Sequence, residues 1–216
     1  MAESDVRYVI TITRQFGSLG RPIAKKLAER LGIDYFDREL VDQAARALNM
    51  KASVIGELEE SARPKFFSMK YPLGTGTTEM QNQIFETQRM LIMKIASRES
   101  CIIVGRCADY ILREYSNAIH IYIYAPDEIR KEVCIHDFHY SPEGAQQMME
   151  EVDRAREHYH KQFAGYLPDD PRHKHLCVDS SVLGVDGTVD LLEHYVREFL
   201  SHRLDHNLVK DGEADG

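Results

Sequence analysis

An α/β domain on a five-stranded parallel sheet, with helices over both faces, is the fold class this sequence predicts. Three observations carry it. Short β-branched or apolar runs recur five times, at "VITIT", "IDYF", "CIIVG", "AIHIYIYA" and "HLCVDSS". Stretches with helical apolar spacing lie between them, the alternation that puts parallel strands in one layer and crossover helices outside it. Glycines follow two of the strands, where open sheets of this kind bind ligands.

Each element has its own local cause. Val9 to Thr13 are all β-branched and read as a strand. After Gly17 and Gly20, the residues Ile23, Ala24, Leu27, Ala28 and Leu31 recur at helical spacing. Pro22 suits the first helical turn, where its missing N–H is not needed, and Gly32 closes the helix. "IDYF" is a short second strand, and Leu40, Val41, Ala44, Ala45 and Leu48 mark a second helix. Residues 61–78 break periodicity with Pro64, Pro72 and a Gly/Thr cluster but keep Phe66, Phe67 and Tyr71, the make-up of a functional flap. A long helix follows from 79 to about 97, with Met80, Ile84, Leu91 and Ile95 on one face. The last strand, "HLCVDSS", leads into a helix carrying Val189, Leu192, Val196 and Leu200 in phase. From about Asp205 the chain is polar and reads as a frayed tail.

The predicted organisation is one domain over 1–204. An insertion covers about 37–98, a helical lid covers about 130–170, and the tail is 205–216. A chain of 216 residues with 43% hydrophobic and 29% charged residues has material for a core of that size. The net charge of −8 argues against broad binding to a nucleic acid backbone, though not against a phosphorylated small molecule held by local arginines. No apolar run approaches the roughly 18 residues of a membrane span, and no signal-peptide layout opens the chain, so a cytoplasmic protein is expected. Cys101, Cys107, Cys134 and Cys177 form no C-x-x-C pair and read as free thiols. The ten histidines show no zinc spacing, and no serine sits in a nucleophile elbow.

"RQFGSLGRP" is the stretch with chemistry in it. Measured against G-x-x-x-x-G-K-[ST], Gln15 takes the first glycine, Arg21 the lysine and Pro22 the hydroxyl. A backbone nest at a helix N-terminus survives such changes, because it needs N–H groups rather than side chains. The same residues also fit G-x-G-x-x-G without its first glycine, with Asp37 after the second strand as a ribose ligand. A structural turn is the third reading, and spacing alone does not separate them.

Two later segments favour phosphate chemistry. "IIVGRCADY" sets Arg106 directly after a buried strand, where it can clamp a phosphate bidentately, with Asp109 to orient it or meet a sugar or base. "DRAREHYHKQFAG" gathers Arg154, Arg156 and Lys161 on a polar helical segment, and Arg130 precedes it. Its bland reading is a solvated helix with Asp153 and Arg156 paired at i,i+3; its sharper one is a lid whose cations close over a transferring phosphoryl group.

Taken together, "ITRQFGSLGRPIAKKLAERLGIDYFDREL", "IIVGRCADYIL", "YIYAPDEIR" and "DRAREHYHKQFAG" followed by "LCVDSSVLGVDG" resemble the cytidylate kinase-like family. The resemblance spans about Val9 to Leu192. It implies a P-loop kinase-type three-layer fold in which ATP, with Mg²⁺, phosphorylates a nucleoside monophosphate, CMP or dCMP foremost. It implies a donor phosphate loop at Phe16, Gly17, Ser18, Leu19, Gly20 and Arg21, with Arg21 replacing the lysine. It implies acceptor contacts from Asp37, Arg38, Arg106 and Asp109, and charge neutralisation by Arg154 and Arg156. It names no Mg²⁺ ligand. Departures from the family pattern are Gln15 and Pro22 for glutamates, Leu19 for a glycine and His160 for a tyrosine. Two other expectations stand beside a kinase: a non-catalytic nucleotide or phosphate sensor, raised by Pro22, and a Rossmann-type dinucleotide binder.

Overall fold

The computed structural model describes residues 7–37 and 78–212. The expected helix at Leu40–Leu48, Arg38 and almost all of the 61–78 flap lie outside them. The described elements are β1 (Val9–Arg14), α1 (Gly20–Leu31), β2 (Asp34–Phe36), α2 (Thr78–Ala96), β3 (Cys101–Val104) and α3 (Ala108–Ile111). They continue with β4 (Ala118–Tyr124), α4 (Asp127–His136), α5 (Pro142–Ala164), β5 (Leu176–Asp179) and α6 (Ser180–Gly212).

The five strands form one wholly parallel sheet in the order β2-β3-β1-β4-β5. Central β1 pairs Val9 with Cys101 on one side and with Ala118 on the other. A strand buried on both faces must be apolar in both phases, and β1, β3 and β4 are largely so. Ile10, Ile12, Ile102, Val104, Ile119, Ile121 and Ile123 face a core closed by Ile23, Ala24 and Leu27 of α1 and Val189, Leu192 and Val196 of α6. The opposite phase, Val9, Cys101, Ile103 and Ala118, meets Phe85, Leu91, Ile92 and Ile95 of α2 with Ala108 and Ile111 of α3. Each fully buried aliphatic side chain stabilises the fold by about 1.5–3 kcal/mol.

The apolar face of α2 keeps the expected Leu91 and Ile95 and adds Phe85 and Ile92. Phe85, Leu91, Ile92 and Ile95 are buried, whereas Ile84 is only partly so. The final helix runs on to Gly212, through residues expected to form the tail, and breaks its helical geometry at Gly184. Cys101, Cys107 and Cys134 are buried free thiols and Cys177 is exposed. Burial pushes Cys101 up to about 12 and Cys134 to about 11, so both stay protonated at neutral pH.

A third, smaller cluster positions the site. Phe16, from the glycine loop, packs with Cys134 of α4 and Ala145, Met149 and Val152 of α5. The residue expected to lend only its backbone to a phosphate is also the apolar anchor of two helices. No described helix is long and apolar enough to cross a membrane.

Candidate functional site

The glycine loop leaves β1 and curves into the N-terminus of α1. Gln15 N–H donates to Ile123 O (3.1 Å), and the Gln15 side chain accepts from Ala125 N–H (3.2 Å). Ser18 Oγ lies 3.0 Å from Gln15 O and 3.2 Å from Ile123 O, so its hydroxyl is committed to the loop's own frame. Ser180 Oγ, at the start of α6, donates to Ser18 O (2.7 Å). Leu19 takes φ +57° at the helix cap, a left-handed conformation that costs a residue with a Cβ about 1 kcal/mol.

Four arginines converge at this carboxyl edge: Arg14 ending β1, Arg21 in the first turn of α1, Arg106 after β3 and Arg156 of α5. The Arg14 guanidinium is pushed well below its ordinary range, by burial first and then by the charges of Arg156, Arg106 and Arg21. Burial also lowers Arg156, which donates from Nη1 to Arg14 O (3.0 Å). Arg106 is buried and holds φ +59°, followed by Cys107 at +52°. Two successive left-handed non-glycine residues persist only where surrounding structure over-determines them, and they aim the Arg106 side chain. Gly105 takes φ +77°, a conformation that disfavours a side chain, and lies beside Arg14: a methyl group there would come within 2.7 Å of Nη1.

Other charges at this edge are paired. Arg21 makes an ion pair with the buried Asp37, and Tyr35 Oη donates to the same carboxylate (3.4 Å). Asp153 of α5 accepts from Phe16 N–H (2.7 Å) and from Arg130 Nη1 (2.5 Å). Arg130 also donates to Phe16 O (3.1 Å) and to Asp127 (2.6 Å). The loop backbone is therefore clipped to α4 and α5 through one carboxylate and one guanidinium.

Asp109 lies on the other side of the Arg106 turn, fully enclosed. His160 Nε2 donates to it (3.0 Å), the completely buried Lys174 pairs with it, and Tyr166 Oη donates (3.4 Å). Burial by itself raises the Asp109 carboxyl, but His160 and Lys174 outweigh that and hold it well below the usual carboxylate range. His160 Nδ1 faces Tyr166 O (3.0 Å), and the Tyr166 ring stacks on His173 (3.7 Å).

The structure thus brings Phe16, Gly17, Ser18, Leu19, Gly20, Arg106 and Arg156 to one edge. Arg21 and Asp37, expected on the donor and acceptor sides, join each other. Asp109 is turned inward to His160 and Lys174, and Arg154 is exposed on α5. Sequence reasoning missed Arg14, although a charged residue ending a run of five β-branched ones is a legible signal for the strand's carboxyl end. The i,i+3 spacing of Asp153 and Arg156 does make a pair, at 3.5 Å, but the second partner of Asp153, the Phe16 N–H, is 137 positions away and left no local signal.

The donor set for a metal is thin here. Pro22 stands at the hydroxyl position, the Ser18 hydroxyl is engaged, and no three His, Cys, Asp or Glu side chains among the described residues converge to hold an ion. These residues do not by themselves fit a Mg²⁺ site.

The model of the cytidylate kinase-like family matches residues 9–182. An uncharacterized protein from Eubacterium ventriosum is 26% identical, with a TM-score of 0.70 over 88% of this chain and 99% of that one. A Thermus thermophilus protein shares the fold at 15% identity and TM-score 0.51, over 86% and 96% of the two chains. A shikimate kinase from Acinetobacter baumannii stands at 14% identity and TM-score 0.45, over 94% and 97%. No curated protein matches this chain. With its glycine loop and strand-end arginine on a five-stranded parallel sheet, the chain belongs to the cytidylate kinase-like family.

Proposed function

We propose that this protein is an ATP-dependent phosphotransferase acting on a nucleoside monophosphate, with CMP or dCMP the favoured acceptor. The observation that carries this reading is the convergence of strand-end and lid arginines on a glycine loop at the sheet's carboxyl edge. Phosphoryl transfer asks a protein mainly for positioning and charge neutralisation, which such an arrangement supplies.

In this reading the backbone from Phe16 to Gly20 and the start of α1 hold the donor's phosphates. Arg106 fixes the acceptor phosphate. An acceptor oxygen forms a bond to the γ-phosphorus as the bond from that phosphorus to the β,γ-bridging oxygen breaks, and ADP departs with the electron pair. No general base is required, because an ionised phosphate is already a competent nucleophile. Arg156 reaches the developing charge from α5, with Arg154 as the next cation along the lid. Mg²⁺, when bound with ATP, offsets phosphate charge.

The test is ADP release from ATP and Mg²⁺ across CMP, dCMP, UMP, AMP and GMP. Arg106→Ala should lower kcat/KM for the acceptor by at least about a hundredfold, and Arg156→Ala should lower kcat with KM little changed. Unaltered kcat/KM in Arg106→Ala removes that residue from the site. Pro22 and the committed Ser18 hydroxyl favour a second reading, a nucleotide sensor without turnover. Robust acceptor-dependent ADP release sinks it.

A further inference from the structure

Arg21 occupies the position of the lysine in a phosphate loop, yet its side chain is half exposed, at 54%, and pairs with the buried Asp37. The charge such a lysine supplies must come from elsewhere, and Arg14 is placed for it. Its side chain leaves the end of the central strand and passes beneath the start of α1. A methyl group on Gly20 would lie 2.8 Å from Arg14 Cβ, and one on Gly105 would lie 2.7 Å from Nη1. Arg14 therefore runs from the foot of the glycine loop to the turn that presents Arg106. Gly20 makes room for the stem of this arginine, and Gly105 lies beside its tip.

Its electrostatic setting differs from that of a structural arginine. Arg130, close by, donates to two carboxylates and a carbonyl. Among the described residues no acceptor bonds the Arg14 guanidinium, and its charged neighbours are Arg156, Arg106 and Arg21, of which Arg21 pairs with Asp37 and Arg156 lies 3.5 Å from Asp153. Five N–H donors in a fixed fork, partly withdrawn from water and surrounded by like charge, form a receptor for a multiply charged anion.

We propose that Arg14 binds the phosphoryl group between the glycine loop and Arg106, taking the role that a lysine at position 21 would have. The assignment rests on the phosphate-site reading above and deepens it. It gives the reaction a residue that contacts the donor's terminal phosphate, and it moves Arg21 to the rim.

The experiment is calorimetric binding of inorganic tripolyphosphate and of ATP to the full chain, at low and high salt, with melting curves as a check on folding. Arg14→Met should weaken tripolyphosphate binding by about tenfold or more and flatten its salt dependence, and Arg14→Lys should recover part of the loss. Arg21→Met should change affinity by less than about threefold, because its partner is Asp37 rather than the ligand. Should Arg14→Met melt early, Arg14→Gln and Arg14→Lys carry the comparison. Wild-type affinity in a folded Arg14 variant overturns the proposal. So does an Arg21→Met loss as large as that of Arg14→Met, or a wild-type chain that ignores tripolyphosphate. If tripolyphosphate binds through Arg14 while no acceptor supports ADP release, the phosphotransfer reading fails and the Arg14 assignment stands.

Discussion

The turn after β3 carries both Arg106 and Asp109, each buried, and the two charge clusters they join are built on opposite principles. Around Asp109 the charges balance: a buried carboxylate meets a buried lysine and a histidine, and a tyrosine covers them. Around Arg14 they do not: Arg156, itself 3.5 Å from Asp153, and Arg106 stand beside a guanidinium that no described acceptor bonds. A satisfied cluster holds elements together. An uncompensated one is stable only in partial contact with water or with a ligand of opposite sign. The contrast identifies the Asp109 knot as the tie between α3, α5 and the approach to β5, and the arginine edge as the place where chemistry would happen.

Removing a partner from the balanced cluster should have the largest effect. Asp109→Ala leaves Lys174 buried without its carboxylate, and the expected destabilisation is about 3–5 kcal/mol in urea denaturation. A double Asp109→Asn, Lys174→Met variant should regain part of that. If Asp109→Ala instead melts normally and loses only acceptor affinity, the knot belongs to the substrate site and the contrast breaks.

Acid should act on the same face of the sheet. His120 is bonded to Thr11 Oγ1 (2.8 Å), and its backbone N–H donates to His175 Nδ1 (2.8 Å). Burial first, and the neighbouring His175 second, lower His120 from its ordinary 6.5 to about 4. Because the folded value lies below the unfolded one, this contribution is complete above about pH 6.5 and is lost as pH falls towards 4, on the order of 3 kcal/mol in all. Chemical denaturation between pH 7 and pH 4 measures it. His120→Asn should flatten that part of the profile, and an unchanged slope would remove His120 from the account.

The smallest stability effect should come from the arginine edge, with the opposite sign. Arg14→Met relieves repulsion from Arg106 and Arg156, and its unfolding free energy in urea should rise by about 0.5–1 kcal/mol even as phosphate binding falls. A large loss of stability would show that Arg14 is structural and that the two clusters are alike.

Much of this was legible in local chemistry. Alternation of β-branched runs with helical spacing determined the parallel sheet, because period and propensity act over a few residues. The glycines at 17 and 20 and the arginine at 106 marked its carboxyl edge for the same reason. What each charge pairs with was decided by tertiary structure alone. Arg21 and Asp37 were assigned to different substrates until the return of β2 beside β3 put them in contact. Asp109 read as an acceptor ligand until residues 51 and 65 positions away closed on it. Arg14 was passed over because its meaning comes from Arg106 and Arg156, carried there by other elements. Ion pairing depends on a few ångströms between side chains distant in sequence, and no local pattern encodes that separation.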